Sequence, residues 1–379
     1  MRTVLFHNII SPYKTLLFNA LAKKWRGELT VCYFARTSVL RDWRVEEERI
    51  LYPYTVLNRR RKWEEIPSWK LSLQALWCAM RSRAECFIIG EYSSLPYWFL
   101  WLYGIMCGKK LAAIVESQEA DHVRTAWKEW IKRLFLSRCF RVVVAGEKHK
   151  AYVRKLGVPE GRIVVMGGVG GVDHAIYDSC RKRYDVEEKR GELCSMLGIP
   201  LRQYFIYVGR FSPEKNLLSL LRAYEKAACE KKGWGLLLVG SGPQKTELEA
   251  YVRAHGLAHV IFSGFVQQEQ LPLYYLASRV FVLPSLSEPW GLVVDEALAL
   301  GLPAVVSEKC GCVPDIVHDG ENGLLFPPED EEAFVRCMKF MMEDADLQKM
   351  GRISLAIAQR HSPEESARRI ADGFWKQEG

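Results

Sequence analysis

Ser285-Leu286-Ser287-Glu288-Pro289-Trp290-Gly291-Leu292-Val293-Val294-Asp295-Glu296-Ala297-Leu298-Ala299-Leu300-Gly301-Leu302-Pro303 follows an apolar run, Arg279-Val280-Phe281-Val282-Leu283-Pro284. The run reads as a buried strand. Pro289 has no backbone N–H to donate, so it suits a loop or the first turn of a helix. An apolar helix is expected from about Trp290 to Leu300, ended by Gly301 with Pro303 just beyond. Strand, tight loop and helix N-terminus are the parts of the carboxyl edge of a parallel sheet. Ligands of open α/β sheets bind there, and anions are favoured by the free amides and the helix dipole.

Two carboxylates flank that helix start, Glu288 in the loop and Glu296 eight positions on. Carboxylates accept hydrogen bonds, so their natural partners are hydroxyls, as on a sugar or a ribose. Phosphates would need cations from elsewhere. The upstream run Tyr204-Phe205-Ile206-Tyr207-Val208-Gly209-Arg210-Phe211-Ser212-Pro213-Glu214-Lys215 supplies them: a strand ending at Gly209, then Arg210 and Lys215 in the turn before a helix. Arginine offers a fork for phosphate oxygens and lysine a point charge.

Strand–Gly-Arg-x4-Lys, then Val239-Gly240-Ser241-Gly242-Pro243, then Glu-x7-Glu, then Asp319-Gly320-Glu321-Asn322-Gly323-Leu324-Leu325-Phe326, in this order, resembles the family 4 retaining glycosyltransferases (glycosyl transferases group 1) of polysaccharide-assembly type. A lone Glu-x7-Glu is common; its combination with the arginine–lysine turn is specific. The resemblance is strong over about 200–330 and weaker over 1–172. It implies an α/β chain of GT-B fold, two Rossmann-like doubly wound domains with a cleft between them. The expected division is 1–172 as an acceptor-binding domain, 173–200 as connector and 201–362 as nucleotide-sugar-binding domain. A last helix in 363–379 is expected to cross back to the first domain.

The resemblance also implies roles. Arg210 and Lys215 would neutralise the diphosphate of a nucleotide-sugar donor, and Glu288 would hold donor-sugar hydroxyls. Glu296 would hold the ribose. Gly209, Gly240, Gly242, Phe265 and Val266 would pass near the nucleotide, and Pro289, Trp290, Gly291 and Leu292 would complete the donor site. No metal or other cofactor is expected, since the two cations carry the charge and no Asp-x-Asp precedes an apolar strand. Glu116, leaving the strand Leu111–Val115, is a candidate for positioning or deprotonating the acceptor hydroxyl; the plainer alternative is a hydrogen-bonding carboxylate without a chemical role. His122 is a further candidate on the acceptor side. The loop after the first strand holds Asn8-Ile9-Ile10-Ser11-Pro12-Tyr13 where many members of the family carry a glycine pair. Asn8, Ser11 and Tyr13 are therefore expected to face the acceptor rather than the donor.

Composition bounds the rest. The chain has 379 residues, 49% hydrophobic and 26% charged, ordinary for a globular protein of two domains. Its net charge of +8 is uneven: residues 1–172 hold 29 Lys and Arg against 15 Asp and Glu, and the remainder 24 against 30. The basic half reads as solvated surface or as contact with an anionic membrane or a phosphorylated lipid acceptor; no nucleic-acid motif accompanies it. Asn58-Arg59-Arg60-Arg61-Lys62-Trp63 and the aromatic run Leu95–Cys107 carry the same two alternatives, surface or core on one side and membrane interface on the other. The longest apolar run, about 13 residues, falls short of a membrane span, and no signal peptide is expected at Met1–His7. The 11 cysteines contain no Cys-x2-Cys pair, which suits reduced thiols.

The expected activity is thus transfer of a sugar, with retention, from a nucleotide sugar to a hydroxyl of a glycan acceptor. A lipid-linked acceptor, in cell-surface polysaccharide or glycolipid assembly, is expected. The expected location is cytoplasmic, peripheral on the inner membrane face, and the expected partners are donor, glycan acceptor and anionic lipid, without nucleic acid. A soluble acceptor and a non-catalytic nucleotide-sugar-binding protein of the same fold are the alternatives.

Overall fold

The computed structural model describes residues 1–39, 45–119, 125–184, 187–200 and 202–376. They form two compact units, one of residues 1–171 with 362–379 and one of residues 172–361.

In the first unit the chain runs β1 (Arg2–Ile9), α1 (Pro12–Lys24), β2 (Glu28–Ala35), β3 (Tyr54–Val56), α2 (Ser68–Ser82), β4 (Cys86–Ile89), α3 (Leu95–Met106), β5 (Lys110–Val115), α4 (Ala126–Ser137), β6 (Arg141–Val144), α5 (Glu147–Lys155) and β7 (Ile163–Val165). The strands build one parallel sheet in the order β3-β2-β1-β4-β5-β6-β7. Cys86-Phe87-Ile88-Ile89 and Arg141-Val142-Val143-Val144 are buried along their whole length, as strands covered on both faces must be. Leu71, Ala75 and Ala79 of α2, Tyr97 and Leu100 of α3, Phe135 and Leu136 of α4, and Tyr152 and Val153 of α5 share one apolar core with the sheet.

The second unit runs α6 (His174–Tyr184), α7 (Glu187–Met196), β8 (Gln203–Val208), α8 (Leu217–Lys226), β9 (Trp234–Val239), α9 (Lys245–Ala254), β10 (Val260–Gly264), α10 (Leu271–Leu276), β11 (Val280–Leu283), α11 (Leu292–Ala299), β12 (Ala304–Ser307), β13 (Gly323–Phe326), α12 (Glu331–Glu343) and α13 (Leu347–Gln359). Its strands pair, all in parallel, in the order β10-β9-β8-β11-β12-β13. Both sheets therefore reverse strand order beside their first strand, between β1 and β4 and between β8 and β11. Those are the points where open parallel sheets take ligands. Residues 174–200, expected as connector, form α6 and α7 within the second unit; α6 packs on α10 and α11.

The last helix, α14 (Pro363–Trp375), belongs to the first unit and packs on α1. Phe374 meets Trp25 at 4.6 Å and Phe140 edge-on at 4.9 Å between ring centroids. The buried Arg141 guanidinium donates to the carbonyls of Gly373 (3.0 Å) and Lys376 at the C-terminal end of α14, where the helix dipole favours a cation. Among the described residues no helix is long and apolar enough to cross a membrane.

Four elements escape the sequence reading, β3, α2, α12 and α13, and α11 begins two residues later than expected. Gly291 sits at φ +103°, a left-handed conformation that ends the helix there and leaves Glu288 to Trp290 as loop. Glu296 is accordingly about one turn into α11.

Candidate functional site

At the carboxyl edge of the second sheet, three strand ends approach each other closely. The amide of Gly209, after β8, donates to the Val239 carbonyl at 3.0 Å, and that of Gly240, after β9, to the Gly264 carbonyl at 2.8 Å. A Cβ at Gly240 would lie 1.9 Å from the Gly209 carbonyl oxygen, and Gly240 has φ +135°. Gly242 is equally constrained, 2.4 Å from the Phe211 carbonyl oxygen. Only glycine permits this stacking of strand ends. Beyond it, Phe265 is exposed and Val266 half-buried.

The next strand end, after β11, is fixed from outside. The Gly311 amide donates to the Glu288 carbonyl at 2.9 Å and the Cys312 amide to the Trp290 carbonyl at 2.9 Å, so the loop carries a strand-like bridge to residues 310–312. Glu288 is held by an ion pair with Lys215 from the β8–α8 turn, with only 17% of the lysine and 13% of the glutamate side chain exposed. This brings a cation and a carboxylate from adjacent strands to the point where strand order reverses. Arg210 stays apart from that pair: its side chain is half exposed, with a guanidinium nitrogen 3.6 Å from Glu214. Glu214 also accepts from the Ser212 hydroxyl at 2.6 Å. Burial pushes its carboxyl up, but that hydroxyl, a backbone amide and the charges of Lys215 and Arg210 together bring it below the ordinary carboxylate range. The Glu214 carbonyl in turn accepts from the Leu286 amide at 2.8 Å, tying the two loops together.

Behind the loop lie two neighbouring buried carboxylates. Glu296 accepts from the Tyr275 hydroxyl at 2.8 Å. Burial pushes its pKa up to about 7, against the lowering effect of the Tyr275 and Tyr177 hydroxyls. Asp295 accepts from the Trp290 indole at 2.5 Å. Burial takes it to about 7 as well, helped by the charges of Glu296 and Asp315 and opposed by the indole. Sequence reasoning missed Glu214, Tyr177, Tyr275 and Asp295. Tyr275 lies in a run indistinguishable from core and Tyr177 in a segment that reads as a polar connector; Asp295 gives itself away only by sitting beside Glu296 in an otherwise apolar helix.

In the first unit, a smaller polar group gathers at the carboxyl ends of β1 and β5. Glu116 forms an ion pair with Lys14 of α1. Crowding raises its carboxyl, but the Lys14 charge and hydrogen bond, with help from His7 and His149, hold it below the ordinary range. His7 of β1, another residue the sequence reading passed over, is lowered to about 4, first by burial and then by Lys14, with Glu116 and the Ile9 carbonyl opposing. Asn8 accepts from the Ile9 amide at 2.8 Å, Ser11 occupies the position just before α1, and Tyr13 lies half-buried in its first turn. His122 lies outside the described residues.

Residues 199–354 match the family described as glycosyl transferases group 1. Sulfoquinovosyl transferase SQD2 of Arabidopsis thaliana is 34% identical over 176 residues, 46% of this chain and 32% of that protein. O-antigen chain mannosyltransferase B of Escherichia coli is 33% identical over 133 residues, 34% of each. The chain thus spans about a third of the length of these curated relatives. In fold the similarity extends over the whole chain: the Anabaena HepE structure, in complex with UDP and glucose, matches 100% of both chains with a TM-score of 0.78 at 18% identity.

Proposed function

We propose that the chain, whose residues 199–354 match the glycosyl transferases group 1 family, is a retaining glycosyltransferase of family 4. It moves a sugar from a nucleotide-sugar donor to a hydroxyl of a lipid-linked glycan during cell-surface polysaccharide or glycolipid assembly. The observation that carries this reading is the Lys215–Glu288 pair, a largely buried cation and acceptor at the strand-order reversal of the second sheet. The UDP-bound HepE structures support a nucleotide-sugar donor, because they share the fold around that edge.

In this mechanism the Lys215 ammonium turns to the donor diphosphate, and Arg210, exposed and only loosely drawn to Glu214, joins it. Both stabilise the negative charge that grows on the leaving group, without a metal. Glu288, released by Lys215, accepts from donor-sugar hydroxyls, while the bridge to residues 310–312 keeps its backbone in place. Pro289, Trp290, Gly291 and Leu292 complete the donor site at the start of α11, where helix amides meet anions. Glu296 accepts from the ribose. Gly209, Gly240, Gly242, Phe265 and Val266 border the nucleotide. On the first unit Glu116 positions the acceptor hydroxyl, with Asn8, Ser11 and Tyr13 beside it. The chain works at the inner face of a membrane, with its basic first unit toward anionic lipid.

A thermal-shift series with UDP, GDP, ADP and dTDP and their sugar conjugates tests the donor. A ligand at about 100 times its dissociation constant adds about 2.7 kcal/mol to stability. One diphosphate family should raise the melting temperature, and Lys215→Ala should abolish that rise. No shift with any of them would overturn the assignment of the donor site.

A further inference from the structure

Among the described residues, seventeen large apolar side chains are exposed, and eleven of them lie on α2, α3 and α4. On α2 they are Trp69, Leu73, Trp77 and Met80, whose spacing of four, four and three places them on one helix face. On α3 they are Leu95, Phe99, Leu102 and Met106, again along one face. Helix α4 adds Trp127, Trp130 and Leu134. The opposite faces of the same helices fill the common core beneath them. Helices α2 and α3 pack side by side, and Trp101 of α3 stacks on Phe135 of α4 at 5.7 Å. These three helices thus form one layer that is apolar inside and out, whereas a surface helix ordinarily turns a polar face to water. An apolar patch spread over three adjacent helices marks an interaction surface.

The charges on the three helices are nearly all positive. Lys70 and Arg81 lie on α2, Lys109 follows α3, and Lys128 and Arg133 lie on α4. Neither α2 nor α3 contains an acidic residue. The single one on α4, Glu129, is bound to Lys132 at 2.8 Å and to the Tyr152 hydroxyl at 2.9 Å. Two cations sit directly on the exposed aromatics: Arg81 lies 4.6 Å from the Trp77 ring centre and Lys128 5.6 Å from that of Trp127. Tryptophan beside lysine and arginine is the composition of a surface that enters the headgroup region of a bilayer. A second copy of this chain fits it less well. A two-fold contact places a patch against itself, and here that opposes cations with cations, with no carboxylate on α2 or α3 to answer them.

We propose that the outer face of α2, α3 and α4 lies flat on an anionic lipid surface. The tryptophans, Phe99 and the leucines enter the boundary between headgroups and acyl chains, and the lysines and arginines meet lipid phosphates. This deepens the membrane part of the function proposed above and rests on that reading for its place in the reaction.

Flotation of the full chain tests it, with vesicles of phosphatidylcholine alone and of phosphatidylcholine containing phosphatidylglycerol as about a third of the lipid. The protein should float with the anionic vesicles, stay behind with the neutral ones, and detach as salt is raised. Trp77→Ser with Phe99→Ser should lower partitioning about a hundredfold, about tenfold for each aromatic withdrawn from the interface. Trp69→Ser with Leu102→Ser serves as a second pair, and an unchanged melting temperature in either pair shows that the fold survives. Wild-type protein left behind by anionic vesicles, or a folded serine pair that floats like wild type, would overturn the proposal. So would light scattering that finds a wild-type dimer, a monomeric serine pair and no vesicle binding, since the face would then be a contact between copies. Melting with and without UDP-sugar in the same samples separates the two readings. Vesicle binding without nucleotide binding defeats only the donor assignment, and the reverse defeats only this one.

Discussion

Glu296→Gln should make the protein more stable at alkaline pH while weakening its grip on a nucleotide. The Glu296 carboxyl has a pKa of about 7 in the folded chain against 4.5 as its ordinary value. Between those two values the folded state keeps a proton that the unfolded state has released. Stability therefore falls as pH rises from 4.5 to 7, and stays at the lower level above that. At about 1.36 kcal/mol per pKa unit the loss is about 3 kcal/mol. Glutamine is neutral throughout and has nearly the shape of the protonated acid, so it escapes this cost. It also removes one of the charges that push Asp295 up, which acts in the same direction. Urea unfolding of both proteins should coincide near pH 4.5 and separate by about 3 kcal/mol at pH 8, with the variant more stable. The difference between the two proteins is the quantity to follow, because His7, lowered to about 4, costs stability in the opposite sense as pH falls through 6.5, and it does so equally in both. A carboxylate can accept from two ribose hydroxyls where an amide offers one acceptor oxygen. The stabilisation by a diphosphate nucleotide should accordingly shrink in the variant. A variant no more stable than wild type at pH 8 would refute the reasoning, by showing that the buried carboxylate is ionised at no cost.

Three further substitutions probe the other strand ends. Lys215→Ala leaves Glu288 without its cation in a site that is mostly closed to water; it should cost about 3 kcal/mol and lower turnover at least about a hundredfold, and turnover within a few-fold of wild type would remove the lysine from the mechanism. Gly240→Ala drives a Cβ into the Gly209 carbonyl at a φ that side chains rarely adopt, so denaturant unfolding should show a loss of about 3 kcal/mol; unchanged stability would mean that the strand ends are looser than they look. Glu116→Gln keeps the shape but loses the charge beside Lys14, and sugar transfer should fall about a hundredfold. Full activity with a lowered melting temperature would reduce Glu116 to a partner for Lys14.

The second sheet was legible because each of its strands is a short apolar run bounded by glycine or proline. The run Arg279–Pro284 contains β11, and the run from Tyr204 to Gly209 contains β8 but for its first residue. The glycines at the strand ends were legible for a related reason, since only glycine lets those ends stack, whereas Lys215 and Glu288 stood out by resemblance and the structure shows them paired with each other. What holds those groups was not legible. Tyr177 comes from a helix about 120 residues upstream of Glu296, and its segment reads as a polar connector until its packing on α10 and α11 is known. The burial that lifts Glu296 and Asp295 to about 7 is likewise a property of packed neighbours, with no spacing in the chain to announce it.

Helix α2 escaped notice for a reason that bears on its use. A surface helix is recognised by the alternation of an apolar and a polar face every 3.6 residues. In Ser68–Ser82 the inner face carries Leu71, Ala75 and Ala79 while the outer face carries Trp69, Leu73, Trp77 and Met80, so apolar side chains lie on both faces. An apolar helix of this length is ordinarily interior, yet these four side chains are each more than half exposed. These exposed apolar side chains reflect a second demand on the sequence, added to the packing of the helix against β2 and the core. The same demand is visible in α3, with Leu95, Phe99, Leu102 and Met106 exposed, and in α4, with Trp127, Trp130 and Leu134 exposed. If the demand is contact with lipid, polar substitutions along the outer stripe should restore an ordinary amphipathic helix, leave the melting temperature unchanged and release the protein from anionic vesicles. If it is structural, the same substitutions should lower the melting temperature with no change in vesicle binding.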